Sequence, residues 1–142
     1  MEGIGPSAQT ELEANKSVVR RLVDQVLNKG NLDLLDDLYT ADQAALAREW
    51  IAAFRASFPD MNMVTVELVA EGDLVIGRFT CTATHLGTWM GHPPTGRVFN
   101  AIGEVNRYRI HEGRIAETWT LEDNLERLTQ LGLLTSTDQE DD

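Results

Sequence analysis

The chain has a single cysteine, Cys81, so no disulfide can form within it. Basic residues are also scarce: 12 lysines and arginines stand against 23 acids, a net charge of −11. A surface that negative repels phosphate backbones and anionic lipid, which argues against nucleic acid and membrane partners. No apolar run reaches the roughly 18 residues that a spanning helix needs. The start, "MEGIGPSAQTELEANK", has neither the basic nor the apolar segment of a secretory signal, so the expected location is the cytoplasm. The three histidines lie far apart, with no HxH or HExxH spacing, and no metal site is expected. A phosphate-cradling loop is missing too, since "GHPPTG" puts prolines where backbone donors would be required. No Ser-His-Asp or Cys-His signature stands out, and Cys81 reads as a small buried hydrophobe within a strand.

What is there suits one globular domain. The length is 142 residues and 42% of them are hydrophobic. Residues 1–12 are expected to be a flexible start, 13–134 the folded domain, and 135–142 an acidic disordered tail with nothing apolar to dock it.

Helical periodicity comes first. Val18, Val19, Leu22, Val23, Val26 and Leu27 mark one buried face of a helix over Thr10–Lys29, ended by Gly30. Asn31 can cap a short second helix with Leu34, Leu35 and Leu38 inward. A third is predicted from Ala41 to Phe58, stopped at Pro59, with Leu46, Trp50, Ala53, Phe54 and Phe58 as its apolar side. The pattern then alternates. "MVTVELVA", "LVIGRFTCTATH", "VFNAIGEVNRYRI" and "RIAETWTL" read as strands, and "DNLERLTQLGLL" as a short closing helix. Helices followed by an antiparallel sheet give an α+β fold with the helices packed on one face.

"HEG" between the last two strands reads as a three-residue hairpin loop. That register sets Ile110 opposite Arg114, Asn106 opposite Thr118 and Glu104 opposite Thr120. Glu104, Asn106, Tyr108, Thr118 and Thr120 then share one face, with Arg107, Arg109, Glu117, Trp119 and Leu121 on the other. Neither face is cleanly apolar, which suits one face lining a pocket and one used as an interface.

"NKSVVRRLVDQVLNKGNLDLLDDL", "GTWMGHPPTGR", "YRIHEGRIAETW" and "LTQLG" together resemble the SnoaL-like polyketide cyclase family, over roughly Glu13 to Leu134. The resemblance implies an NTF2-like cone: three N-terminal helices on a curved antiparallel sheet, a short C-terminal helix, and a deep pocket inside. It implies a polyketide-like small-molecule ligand, aromatic ones included, and acid/base cyclase or isomerase chemistry without metal or cofactor. It also implies a homodimer or higher homo-oligomer joined through the outer sheet face. Other members are linked to hydroxylation of aromatic polyketides, and a non-catalytic binding module is the third reading.

Along the resemblance the family's catalytic aspartate falls on Thr120, its assisting histidine on Asn106 and a nearby glutamine on Glu104. The Glu104 face is therefore the expected pocket wall, and a threonine stands where the acid belongs. Threonine and asparagine do not titrate usefully near neutrality. Glu104 does, and in an apolar pocket its pKa should rise. Its bland alternative is a solvated glutamate balancing Arg107 or Arg109. The segment after Tyr39 is shorter than in related sequences, which implies a more open pocket or residues missing there.

The remaining candidates each have a structural alternative. Trp50 and Trp89 can stack on a flat ligand, against core packing and loop anchoring. Tyr39, Tyr108 and Thr118 can position a carbonyl, or be satisfied within the protein. His85 can reach the pocket mouth, or bind loop backbone. Asp123 can contact ligand, or cap the last helix.

Overall fold

The computed structural model describes residues 4–134, with side chains described from Ala8 onward. The expected tail at 135–142 and the first three residues of the expected flexible start lie outside the described residues. Helix α1 (Ile4–Arg21) begins ahead of the predicted Thr10. Pro6 does not prevent this, because a first-turn residue has no helical N–H to lose.

Helix α1 runs directly into a π-helical segment, Leu22–Leu27, closed by an Asn28 N–H bond to the Val23 carbonyl at 3.0 Å. A 3-10 turn (Leu32–Leu34), the one-turn α2 (Leu35–Leu38) and α3 (Ala41–Ser57) follow. Strands β1 (Asn62–Glu71), β2 (Leu74–Thr84), β3 (Val98–His111) and β4 (Arg114–Glu122) pair in sequence order as an antiparallel meander. Helix α4 (Asn124–Gln130) completes the chain's α+β architecture. The α1 and π segments lie on β1, α2 and α3 against β4, and α4 on β3.

The strand alternation sorts the core. Val75, Phe79, Cys81 and Ala83 of β2 point inward, as do Phe99, Ile102, Tyr108 and Ile110 of β3. They meet Val19, Leu22, Val23, Val26 and Leu27 from the first helix.

The third helix differs from its predicted face. Ala44, Ala47 and Ile51 are buried, whereas Leu46 and Trp50 are about half exposed and Ala53 is exposed. Small side chains let the helix axis approach the core closely, and the bulky ones are left at the rim. Leu34 is half-buried beside the fully buried Leu35 and Leu38.

The β3–β4 register also differs. The loop is the two-residue turn Glu112–Gly113, both with positive φ (50° and 79°), the conformation that matches strand twist in a tight hairpin. A bulge follows between Arg109 and Ile110, leaving Ala116 unpaired. Ile110 therefore faces Ile115 rather than Arg114, Asn106 faces Thr120 rather than Thr118, and Glu104 faces Glu122 rather than Thr120. Each irregularity displaces the pairing by one residue. Together they restore the parity, so the two faces are populated as the alternation predicts.

Phe58, just past α3, is the centre of an aromatic cluster. Its ring lies 4.8 Å from Phe54, 5.0 Å from Phe99 and 5.5 Å from both His85 and Trp89. Phe58→Ala should lose about 3–5 kcal/mol of unfolding free energy in urea titration. A loss below about 1 kcal/mol would show that this cluster is not the packing centre.

Candidate active site

A cavity of about 310 Å3 lies between the helices and the inner sheet face. Its apolar part comes from Leu22 and Leu27 of the π segment, Phe54 and Trp50 of α3, Met61, and Met63 of β1. The π geometry matters here, because an i→i+5 pattern brings residues five apart onto one face. Trp50 reaches the cavity while 48% exposed, which places it at the mouth.

The polar part is one strip of the sheet. Glu104, Asn106 and Tyr108 of β3 stand beside Thr118, Thr120 and Glu122 of β4, and Tyr39 adds its ring from the α2–α3 junction. Tyr39 is held there by a parallel bridge to Ile115 and by the Thr40 N–H bond to the Ile115 carbonyl at 3.0 Å. Seven of the ten residues expected at the site are thus brought together.

One amide organises the strip. Asn106 Nδ2 donates to Glu104 Oε2 and to the Tyr108 hydroxyl oxygen, both at 3.0 Å. The Tyr108 hydroxyl keeps its own hydrogen for another acceptor. Burial pushes the pKa values of both tyrosines up, so Tyr39 and Tyr108 remain hydrogen-bond donors. Tyr39 also exchanges a hydrogen bond with the Thr118 side chain.

Burial, and then the Glu122 charge, raise Glu104 to about 7, against the lowering effects of Asn106 and Arg127. Glu104 is therefore not the solvated partner of a surface arginine. Arg109 pairs instead with Asp73 at 2.8 Å and Glu117 at 3.2 Å on the other face.

Three expected residues lie elsewhere. The structure places His85 outside the cavity lining, fully buried at the base of the 85–97 loop. The Thr95 N–H donates to its Nδ1 at 3.1 Å, which leaves the ring proton on Nε2. Trp89 packs edge-on against Phe58 and anchors the same loop. That loop sits close on α3: Gly87 donates to the Ser57 carbonyl at 3.0 Å, and a Cβ on Gly87 would come within 2.3 Å of the Ala56 oxygen. Asp123 caps α4, accepting from the Glu126 N–H at 3.1 Å.

Two site residues escape the sequence reading. Glu122 continues the inward alternation of Thr118 and Thr120, and that periodicity was the signal for it. Arg127 carries no such signal, since an arginine on a short polar helix ordinarily reads as solvated. Here it is 1% exposed and bridges Glu122 at 2.7 Å. Cys81 lines the wall, its thiol pushed up to about 12 by burial, which suits a packing role. Among the described residues, no three His, Cys, Asp or Glu side chains gather in a metal-holding group.

The family model described as SnoaL-like polyketide cyclase matches residues 17–131. The chain belongs to the SnoaL-like polyketide cyclase family. Among solved structures it is similar to IdmH, a proposed polyketide cyclase of Streptomyces antibioticus. The two are 31% identical, with a TM-score of 0.71 over 83% of this chain and 98% of that one. AclR of Streptomyces galilaeus, a proposed hydroxylase, is 24% identical with a TM-score of 0.77 over 92% and 90% of the two chains. A proposed SnoaL-like cyclase of Jannaschia sp. CCS1 is 20% identical, also at 0.77, over 95% and 100%. The last two show the shared fold. No curated protein matches the chain in sequence. No helix among the described residues is long and apolar enough to cross a membrane.

The raised Glu104 has a stability consequence. The folded state holds this proton more tightly than the unfolded chain. The Glu104 contribution is therefore fully present below the unfolded value and is lost as pH rises through about 7. Glu104→Gln removes a penalty of up to about 3 kcal/mol. Urea midpoints should rise in the variant at pH 8 and coincide with the parent near pH 4. An equal difference at both pH values would contradict the raised Glu104.

Proposed function

We propose that this SnoaL-like protein is a small-molecule enzyme performing acid/base chemistry, ring closure or isomerisation, on an enclosed polyketide-like carbonyl compound. The observation that carries this reading is Glu104, a half-buried carboxyl on the cavity wall with a pKa raised to about 7, hydrogen-bonded through one amide to a phenolic donor. Enolate chemistry requires a base to take the proton beside a carbonyl and donors to hold the oxyanion that forms. Glu104 serves as base and then acid, while Tyr108 and Thr120 donate to the carbonyl oxygen and Asn106 aligns Glu104. In this reading Thr120 stands at the family's aspartate position, and Glu104 carries the proton-transfer role across the strand pair.

The test is incubation with a β-keto ester anthraquinone, followed by chromatography with mass detection. A product of unchanged mass and new retention time is expected. Glu104→Gln should lower kcat by on the order of 100-fold or more. A product heavier by one oxygen would replace the reading with hydroxylation, and unchanged turnover in Glu104→Gln would remove Glu104 from the mechanism. In the parent enzyme the rate limb that reports Glu104 should lie near pH 7.

We also propose that the outer sheet face joins two copies of the chain. Val64, Ile76, Trp119 and Leu121 stand there at 40–61% exposure, a patch that water leaves unsatisfied. Trp119→Glu should convert a dimer to a monomer in light scattering. An unchanged mass would rule this face out.

A further inference from the structure

We propose that Arg127 is a positioning residue that divides labour between two facing carboxylates. It holds Glu122 in an ion pair and leaves Glu104 as the group that gains and loses the proton. The proposal rests on the reading of Glu104 as acid and base given above.

The geometry is that of two carboxylates sharing one wall. Glu104 and Glu122 are directly opposed across the β3–β4 ladder, and both line the cavity. Like charges so placed cannot both ionise without cost, and the nearest cation decides which one keeps its charge. Arg127 Nη1 lies 2.7 Å from Glu122 Oε1 and also donates to Asn124 Oδ1. Its Cζ sits 4.6 Å from the Phe99 ring centre, 5.4 Å from Phe54 and 5.7 Å from Trp89. Three rings around a guanidinium attract the charge and leave it no room to swing toward Glu104. Glu104, by contrast, is bonded by the uncharged amide of Asn106.

The other groups near Glu104 do not supply a cation. Tyr108 comes from its own strand, Cys81 from β2 and Tyr39 from the α2–α3 junction. The π segment and α3 bring only Leu22, Leu27, Trp50 and Phe54 to the cavity. The choice between the two carboxylates therefore falls to Arg127.

The test follows the Glu104 carboxyl by carbon NMR titration of glutamate-labelled protein, assigned with Glu104→Gln, in Glu122→Gln, Arg127→Met and Arg127→Lys. Glu122→Gln removes the like charge and should lower the Glu104 midpoint by about one pH unit. Arg127→Met leaves two unneutralised carboxylates, so the first proton the pair takes up should bind at a pH higher by a similar amount. Arg127→Lys keeps the charge and should titrate close to the parent. Mere loosening of the packing would admit water and lower the midpoint in both charge-removing variants, so opposite signs mark the proposed role. An unmoved midpoint in Glu122→Gln, or shifts of the same sign, would overturn it. Should Arg127→Met fail to fold, Arg127→Gln, which also removes the charge, takes its place. A raised first midpoint there against a lowered one in Glu122→Gln supports the role, and shifts of the same sign overturn it. The titration needs no substrate, so it stands or falls apart from the turnover experiment.

Discussion

The bridge between Arg127 and Glu122 is the interaction on which the packing of α4 against the rest of the fold depends. Its partners come from six places: Glu122 ends β4, Asn124 opens α4, Phe54 belongs to α3, Phe99 to β3, Trp89 to the 85–97 loop and Cys81 to β2. Desolvating a guanidinium costs several kcal/mol, which the ion pair, the Asn124 bond and the surrounding rings offset although Nε lacks a hydrogen-bond acceptor among the described residues. No one of these elements can leave without stranding a buried charge. The chain fixes the start of α4 accordingly. Asp123 donates its N–H to the Gly103 carbonyl at 3.0 Å and caps the helix with its side chain, so Arg127 enters the aromatic cluster at a defined angle.

The same enclosure makes the interior hostile to a second anion. Glu104 sits in a wall whose other members are Cys81, Tyr108, Asn106 and the apolar residues of the first helix. A glutamine there would satisfy Asn106 and cost nothing in charge. Keeping a glutamate lowers stability near neutral pH, and such local conflicts between fold and chemistry concentrate at functional sites. The unpartnered Asn106 Oδ1 is a second tension in the same strip. Its amide nitrogen is committed to Glu104 and Tyr108, and its oxygen has no donor among the described residues.

Much of the fold is legible in the chain because burial enforces period. Strand alternation alone placed Glu104, Asn106, Tyr108, Thr118 and Thr120 on one face, and that survives a register displaced by two residues since the parity of a strand is two. The exact partners were not legible. A tight turn and a bulge are set by backbone conformations at Glu112, Gly113 and Ala116 that residue types only weakly specify. The face of α3 was obscured for another reason: hydrophobicity ranks Leu46 above Ala44 and Ala47, but close packing prefers the alanines. His85 and Asp123 show the limit of carrying residues over by resemblance. A histidine ending a strand and an aspartate opening a helix serve backbone hydrogen bonding as readily as a ligand. Arg127 was least legible, because a buried cation is recognised by its partners, and these are distant in sequence.

A base and an oxyanion donor are useful only when both address the same small region of a ligand. On the proposed reading the β3 strip meets that condition through a single nitrogen. Glu104 and Tyr108 lie four residues apart along an extended strand, yet Asn106 Nδ2 holds an oxygen of each at 3.0 Å. The carboxyl and the phenol are thereby held toward one another. Thr120, directly opposite Asn106, adds a hydroxyl to that region from the adjacent strand. On the proposed reading, an acid at position 120 is dispensable because proton transfer and oxygen binding have been separated. Glu104, in its low-dielectric corner beside the neutralised Glu122, handles the proton. The hydroxyls of Tyr108 and Thr120, which burial or chemistry keeps protonated, handle the oxygen. A titrating aspartate opposite Asn106 would place a third carboxylate in a wall that has one caged cation, and the division between Glu104 and Glu122 would be lost.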